Sequence, residues 1–399
     1  MSAPRRARSE SDGSTLTAPH VPPEREIFEY FPYSLLVLDS ERRVLFSNEQ
    51  ARQLIIAAGL TETDLTCCTL LGCRTPDTVL EAACVTDLAL SGDAPLQEVR
   101  VDVRSPAGNS AMWVTAAPIG DETGSRVLLQ LRPGVAGDRR RRTNGHWMPG
   151  PLLRIRTLGR TEVESGDGPI GGAWLGQRTG QLLKYLVAER QRAVTVDEIG
   201  ESIWPGSEYA VGASVRYYVH ALRRRLEPGR GRREPSALIV ARSGAYRLNL
   251  ENVEVDADTF EAHLLAGLLA VAANPHAAAA EFEQGLAIYR GEFLADVPYA
   301  EWAMPERHRL HELACIGLRQ LADIRMQLQA TDDAARALEQ LATLQPFDED
   351  VHRRLMELDI LRGRRSDAVR RYEALRSRLR RTFGHDPDFT PADLARPGP

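Results

Sequence analysis

Val215, Val219, Leu222 and Leu226 recur at intervals of four, three and four residues. That spacing lays one apolar stripe along a helix, so the residues between them face the other way. The opposite set is Arg216, Tyr217, His220, Arg223 and Arg224. A helix over 210–227 is therefore expected, with one face committed to a core and the other basic. Pro228 stops it, because proline can neither donate in the ladder nor avoid the preceding turn.

The neighbours of this helix complete a motif. Gln177 to Ala188 reads as a helix with Leu182, Leu183, Leu186 and Val187 inward. Thr195, with Glu198 three residues on, makes a capping box that opens a helix over 196–203, ended by Trp204 and Pro205. Ile239-Val240 and Tyr246-Arg247-Leu248 read as strands joined through Arg242-Ser243-Gly244. Residues 151–170 alternate weakly and read as a small sheet of short strands. Three helices followed by a hairpin form a winged helix-turn-helix, whose third helix can lie in a groove of duplex DNA. Arginine suits that face because its paired N–H groups meet phosphate oxygens and guanine edges. Tyr217 and Tyr218 are expected to divide between surface and core.

Charge supports the placement. The whole chain carries −5 from 50 basic and 55 acidic residues, which excludes a uniformly basic nucleic-acid-coating protein. By segment, however, 150–252 is net basic and lies between two acidic modules, 24–132 and 253–399. All but one of the basic residues are arginine, the exception being Lys184. An arginine run, Arg139 to Arg142, sits in a Gly- and Pro-containing linker over 133–150. No apolar run approaches 18 residues and no apolar core follows the N-terminal arginines, so neither a membrane span nor a secretory signal is expected. An odd count of five cysteines fits a reducing, cytoplasmic setting.

Residues 1–23 and 390–399 lack periodicity and read as disordered. Between 24 and 132 the order is a short helix (24–31), a strand (34–38), a turn and a strand (43–47), then a helix capped by Asn48. A short helix near 77–84 and three strands near 97–104, 110–118 and 126–131 complete it. Phe31-Pro32, Val37-Leu38 before Asp39, Val44 to Asn48, and Ala51 resemble the PAS sensor fold, which implies sensing, partner binding or dimerisation.

Residues 253–389 read as helices with a 34-residue offset. Asp333, Ala334, Leu338 and Leu341 align with Asp367, Ala368, Tyr372 and Leu375, as in tetratricopeptide-like stacks. The fold class is thus multidomain α+β: a PAS-like α/β sensor domain, a winged helix-turn-helix of the response-regulator type, and an all-α tetratricopeptide-like activator domain.

The run Val219-His220-Ala221-Leu222-Arg223-Arg224-Arg225-Leu226-Glu227, followed by Ser243-Gly244-Ala245-Tyr246-Arg247-Leu248, resembles the actinomycete antibiotic regulatory (SARP) family. Asp256, Phe260 and Gly291-Glu292-Phe293-Leu294 resemble that family's bacterial activator domain. The resemblance implies a transcriptional activator that binds repeats in double-stranded promoter DNA and recruits RNA polymerase; a homodimer is expected. DNA contacts are expected from Arg216, Tyr217, His220, Arg223, Arg224, Arg242, Ser243 and Arg247. Polymerase contacts are expected from Pro205, Gly206, Ser207 and Glu208. A scaffold whose winged helix binds protein is the competing expectation.

Four of the five cysteines fall close together: Cys67, Cys68, Cys73 and Cys84. Three readings stand for them: packing, an iron–sulfur cluster or zinc site, and a redox thiol pair. The spacing lacks a Cys-x-x-Cys pair, and no cofactor is specified. No Walker loop, His-Glu-x-x-His or Gly-x-Ser-x-Gly motif occurs, and an enzyme is not expected.

Overall fold

The computed structural model describes residues 27–61, 65–71, 86, 89, 96–103, 110–121, 124–133, 152–205, 211–231, 234–250, 252–271, 274–391 and 393–395. The expected helix near 77–84, the linker arginines, residues 1–23 and residues 396–399 lie outside the described residues; the expected disorder over 390–399 is corrected at Asp393–Ala395, which form a short 3-10 helix, with the Thr390 amide donating to the Asp393 carboxylate and Leu394 packed against the last helical cluster.

The N-terminal region is an antiparallel sheet of β1 (Ser34–Leu38), β2 (Val44–Ser47), β3 (Leu96–Val103), β4 (Ser110–Asp121) and β5 (Gly124–Pro133), in the order β2-β1-β5-β4-β3. Helices α1 (Glu49–Ala57) and α2 (Cys67–Leu71) contribute to its core with Ala51, Ile55, Cys67, Leu70 and Leu71, which cluster with Leu36, Leu38, Val114, Val127, Leu129 and Leu131 of the sheet. This is the PAS-like α/β arrangement. Asn48 caps α1 as expected, its Oδ1 accepting from the Ala51 amide, and the same atom accepts from Leu35. One buried side chain therefore sets both the helix start and its distance from β1. Of the expected first helix, Ile27 and Phe28 are helical and a turn follows.

The second region begins with a sheet of β6 (Leu153–Arg156), β7 (Glu162–Ser165), β8 (Gly168–Pro169) and β12 (Val253–Val255), in the order β12-β6-β7-β8. Leu153 and Ile155 alternate inward against Arg154 and Arg156 outward, the period-two signature of a half-buried strand. Helix α3 (Arg178–Ala188), strand β9 (Val194–Thr195), α4 (Val196–Ile203), α5 (Val211–Leu226), β10 (Ile239–Arg242) and β11 (Ala245–Leu248) follow.

The capping box at α4 is complete. The Thr195 hydroxyl accepts from the Glu198 amide, and the Glu198 carboxylate accepts from Thr195. The Thr195 backbone hydrogen bond, with Arg192 and the Thr195 hydroxyl, holds Glu198 at a pKa of about 2. Thr195→Ala is expected to lower stability by about 1 kcal/mol, read as a fall in the urea midpoint with unchanged slope.

The third region stacks α6 (Asp256–Ala270), α7 (Pro275–Ile288), α8 (Met304–Gln327), α9 (Thr331–Leu344), α10 (Glu349–Leu361) and α11 (Arg365–Phe383) as sequential pairs. The expected Ala positions of the repeat, Ala334 and Ala368, are buried, as are Leu338, Leu341, Tyr372 and Leu375. Gly317 on α8 permits a close approach, since a Cβ there would lie 2.4 Å from Leu264 on α6.

The second and third regions share one core. The Asp256 carboxylate, at the start of α6, accepts from the amides of Thr157 and Leu158 after β6. Phe293 lies fully buried and its residue bridges Leu158. Lys184 is 1% exposed, its ammonium 2.7 Å from Asp296 and donating to the Leu175 carbonyl. The sole lysine is thus a junction residue between two regions.

Candidate nucleic-acid interface

Helix α5 presents the two faces its spacing requires. Val215, Val219, Leu222 and Leu226 are buried against α3 and α4, while Arg216, Tyr217, His220 and Arg224 are exposed. Arg216, His220 and Arg224 follow one another at four-residue steps, which sets them in one row along the helix. Among the described residues, none of the three has a hydrogen bond or ion pair. Guanidinium groups along such a row are suited to anionic partners, because no carboxylate among the described residues neutralises them.

Tyr217 is 67% exposed and Tyr218 half-buried. Tyr218 packs on Trp204 at 4.9 Å between ring centroids, and the Arg178 guanidinium lies 5.7 Å over the same indole. The aromatic pair ties the start of α3 and the end of α4 to α5.

Arg223 departs from the expectation. Its Nη2 donates to the Ile239 carbonyl at 2.8 Å, and its guanidinium lies 5.8 Å over the Tyr246 ring. It is only partly exposed, and burial lowers its pKa. Arg223 sits where the hairpin folds back on α5, so it fastens α5 to the hairpin and is not part of the exposed row. A helical wheel does not show this, because the covering strand comes from sixteen residues away. Arg225 is likewise engaged, 5.3 Å over the Trp174 ring.

The hairpin has a defined tip. Arg242 pairs with Ala245, leaving Ser243 and Gly244 as a two-residue turn with φ of 50° and 79°. Positive φ at both positions is the tight hairpin turn that matches strand twist. Glycine takes it without cost, and Ser243 is the strained partner. Arg242, Ser243 and Gly244 are exposed, and Arg247 is half-buried beside Val240. The hairpin gains a third strand that the sequence did not reveal: β9 pairs with β11 through Thr195–Ala245 and Val194–Tyr246. The Val196 amide also donates to the Gly244 carbonyl at 3.3 Å. The wing is thereby anchored to the cap of α4, and its tip is positioned relative to α5.

The other expected sites are placed unevenly. Pro205 is exposed after α4, while Gly206, Ser207 and Glu208 lie outside the described residues. Cys67 is buried with its Sγ 3.2 Å from the Thr86 hydroxyl. Cys68 is half-exposed and accepts from the Arg42 guanidinium at 3.6 Å. The two adjacent thiols therefore meet different surroundings. Cys73 and Cys84 lie outside the described residues. Among the described residues no group of three or more His, Cys, Asp or Glu could hold a metal ion, and no helix is long and apolar enough to cross a membrane.

Comparison with known proteins agrees with this geometry. Residues 172–248 match the family "Transcriptional regulatory protein, C terminal", and residues 255–396 match the "Bacterial transcriptional activator domain". The chain is 27% identical over 242 residues to the transcriptional regulatory protein EmbR of Mycobacterium bovis and of Mycobacterium tuberculosis. That alignment covers 60% of this chain and 61% of the relative, so the chain spans about three-fifths of the curated relatives it matches. Among solved structures, Mycobacterium tuberculosis EmbR in complex with a low-affinity phosphopeptide superposes with a TM-score of 0.50 at 25% identity. It covers 61% of this chain and 64% of that one.

Proposed function

We propose that this chain is a transcriptional regulator of the SARP-like family, its winged helix followed by a bacterial transcriptional activator domain, and that it activates promoters by direct DNA binding. The observation that carries the reading is the exposed row Arg216, His220 and Arg224 on α5, in the same domain as an exposed wing tip at Arg242. In this reading α5 enters the major groove, Arg216 reads a base edge, and Tyr217, His220 and Arg224 meet the groove or its phosphates. Arg242 and Ser243 contact backbone phosphate, with Arg247 behind them. Arg223 acts through the wing by holding its strand against α5.

Two protomers occupy a direct repeat, each reading one half-site, since a single recognition helix covers only a few base pairs. The segment Pro205, Gly206, Ser207 and Glu208, between α4 and α5, faces RNA polymerase. The PAS-like domain modulates the output.

Binding to DNA makes a specific demand on salt dependence, because each neutralised phosphate releases counterions. Arg242→Ala is expected to weaken binding to all sequences alike and to reduce the slope of log K against log salt by about one. Fluorescence anisotropy on a promoter duplex and on a scrambled duplex measures both. A loss confined to the promoter duplex would instead assign Arg242 to base or groove-width reading.

The overall function is tested by a genome-wide protein–DNA crosslinking map paired with in vitro transcription from the mapped promoters. Enrichment at promoters with stimulated transcription supports activation. Absence of promoter enrichment would favour a scaffold whose winged helix binds protein.

A further inference from the structure

Three regions of the chain meet at a buried charge cluster whose charges do not balance. Arg190, just beyond α3 of the winged helix, is 1% exposed. Its guanidinium donates to Asp258 at 2.6 Å and Glu306 at 2.7 Å, and to Glu261 at 3.1 Å. Arg309 on α8 donates to the same oxygen of Glu261 at 2.5 Å and to both oxygens of Glu306 at 2.7 and 2.8 Å. Its remaining arm reaches the PAS-like region, donating to the Tyr30 carbonyl at 2.8 Å. The apolar surroundings are continuous across the same junction. Ile27, Phe28, Phe31, Leu35, Val37 and Leu128 belong to one core with α3, α6 and α8, and β4 packs on α6.

Among the described residues the cluster holds three carboxylates, Asp258, Glu261 and Glu306, and two guanidinium groups, Arg190 and Arg309. Glu261 is fully buried, with Asp258 facing it from α6, Glu306 and Arg309 from α8, and Arg190 from the winged helix. One of its oxygens takes both arginines, and the other, Oε2, has no hydrogen-bond partner among the described residues. An unpaired buried carboxylate oxygen in a site with one excess negative charge is a place where a proton is retained.

We propose that this cluster is a proton-linked latch: one proton held by the Glu261–Glu306 pair keeps the PAS-like domain docked on the activator helices and the winged helix, and its loss loosens that docking. The proton comes from and returns to solvent. The latch places a mechanical route between the sensor-like region and the DNA-binding region, running Tyr30, Arg309, Glu261 and Arg190. It stands whether or not the chain binds DNA.

Electrostatics give the direction. Burial pushes Glu261 up, to about 7, against the pull of Arg309 and Arg190. Burial also acts to raise Glu306, but Arg190 and Arg309 outweigh it and leave that group at about 2. When the junction opens, Glu261 returns towards its ordinary value of 4.5. Between these two values docking takes up a proton, so it weakens about tenfold for each unit of rising pH. Below the lower value both forms hold the proton, and above the upper value neither does, so the dependence vanishes on each side.

Hydrogen exchange of the full chain, read by mass spectrometry, tests this between about pH 5 and pH 8 with exposure times scaled to the intrinsic rate. Amides of 28–33 and 189–192 report the two sides of the junction. In the wild type both should lose protection together, about tenfold per unit up to pH 7, and then level off. Glu261→Gln keeps an acceptor for both arginines and cannot titrate, so its protection should be high and flat. Asp258→Asn removes the excess charge from the other side and should flatten the profile too, which decides the matter if the glutamine variant fails to fold. A flat wild-type profile would overturn the latch. So would a slope that survives in the folded variants.

Discussion

Arg190→Met should lower the free energy of unfolding by about 3–5 kcal/mol, the largest single effect expected in this protein. The substitution keeps the length and apolar stem of the side chain and removes the guanidinium that three carboxylates share. Asp258, Glu261 and Glu306 would then face one another with Arg309 as their remaining cation. Leaving buried carboxylates uncompensated costs far more than the pair itself contributes, because charge taken out of water has no other solvent. Urea unfolding followed by circular dichroism measures the loss. A change below about 1 kcal/mol, the range of surface ion pairs, would show that the cluster is open to water.

The second large effect concerns recognition. Arg216→Ala is expected to weaken binding to the specific site by about 1–3 kcal/mol, the range for losing a bidentate contact to a base edge. Arg216 is exposed at the N-terminal half of α5, next to the buried Val215, and its removal leaves the apolar stripe intact. The far-ultraviolet spectrum and melting temperature should therefore stay unchanged while affinity for the specific duplex falls towards that for random DNA. Arg223→Ala should behave differently. It frees the Ile239 carbonyl and uncovers Tyr246, so loss of affinity would come with faster hydrogen exchange in β10 and β11.

The contrast between these two arginines shows how much the sequence discloses. Periodicity identified α5, its buried stripe and its basic face, and the Thr195–Glu198 pair located the start of α4, because those signals are local. The hairpin and its connection through Arg242-Ser243-Gly244 were legible for the same reason, although Arg242 itself pairs with Ala245 and belongs to β10. Strands β9 and β12 were not, since two or three residues acquire strand character only from the partner they meet: β11 in one case and β6 in the other. Arg223 lies on the helix flank that the hairpin covers, and no helical wheel contains the hairpin.

Lys184 carried a faint signal, a lone lysine inside Leu182-Leu183-Lys184-Tyr185-Leu186-Val187. Its partner Asp296 is more than a hundred residues away. Arg190 carried none. Its three carboxylates come from α6 and α8, and only the closed fold assembles them.

The central claim is that α5 and the wing read DNA. Selection of duplexes bound by the full-length protein from a random pool, followed by affinity measurement across a range of salt, tests it directly. The account predicts an enriched direct repeat, affinity that falls steeply and linearly on a log–log salt plot, and loss of sequence discrimination in an Arg216→Ala, His220→Ala, Arg224→Ala triple variant that melts like the wild type. A pool without enrichment, or a folded triple variant that enriches the same sequence with equal affinity, would contradict it.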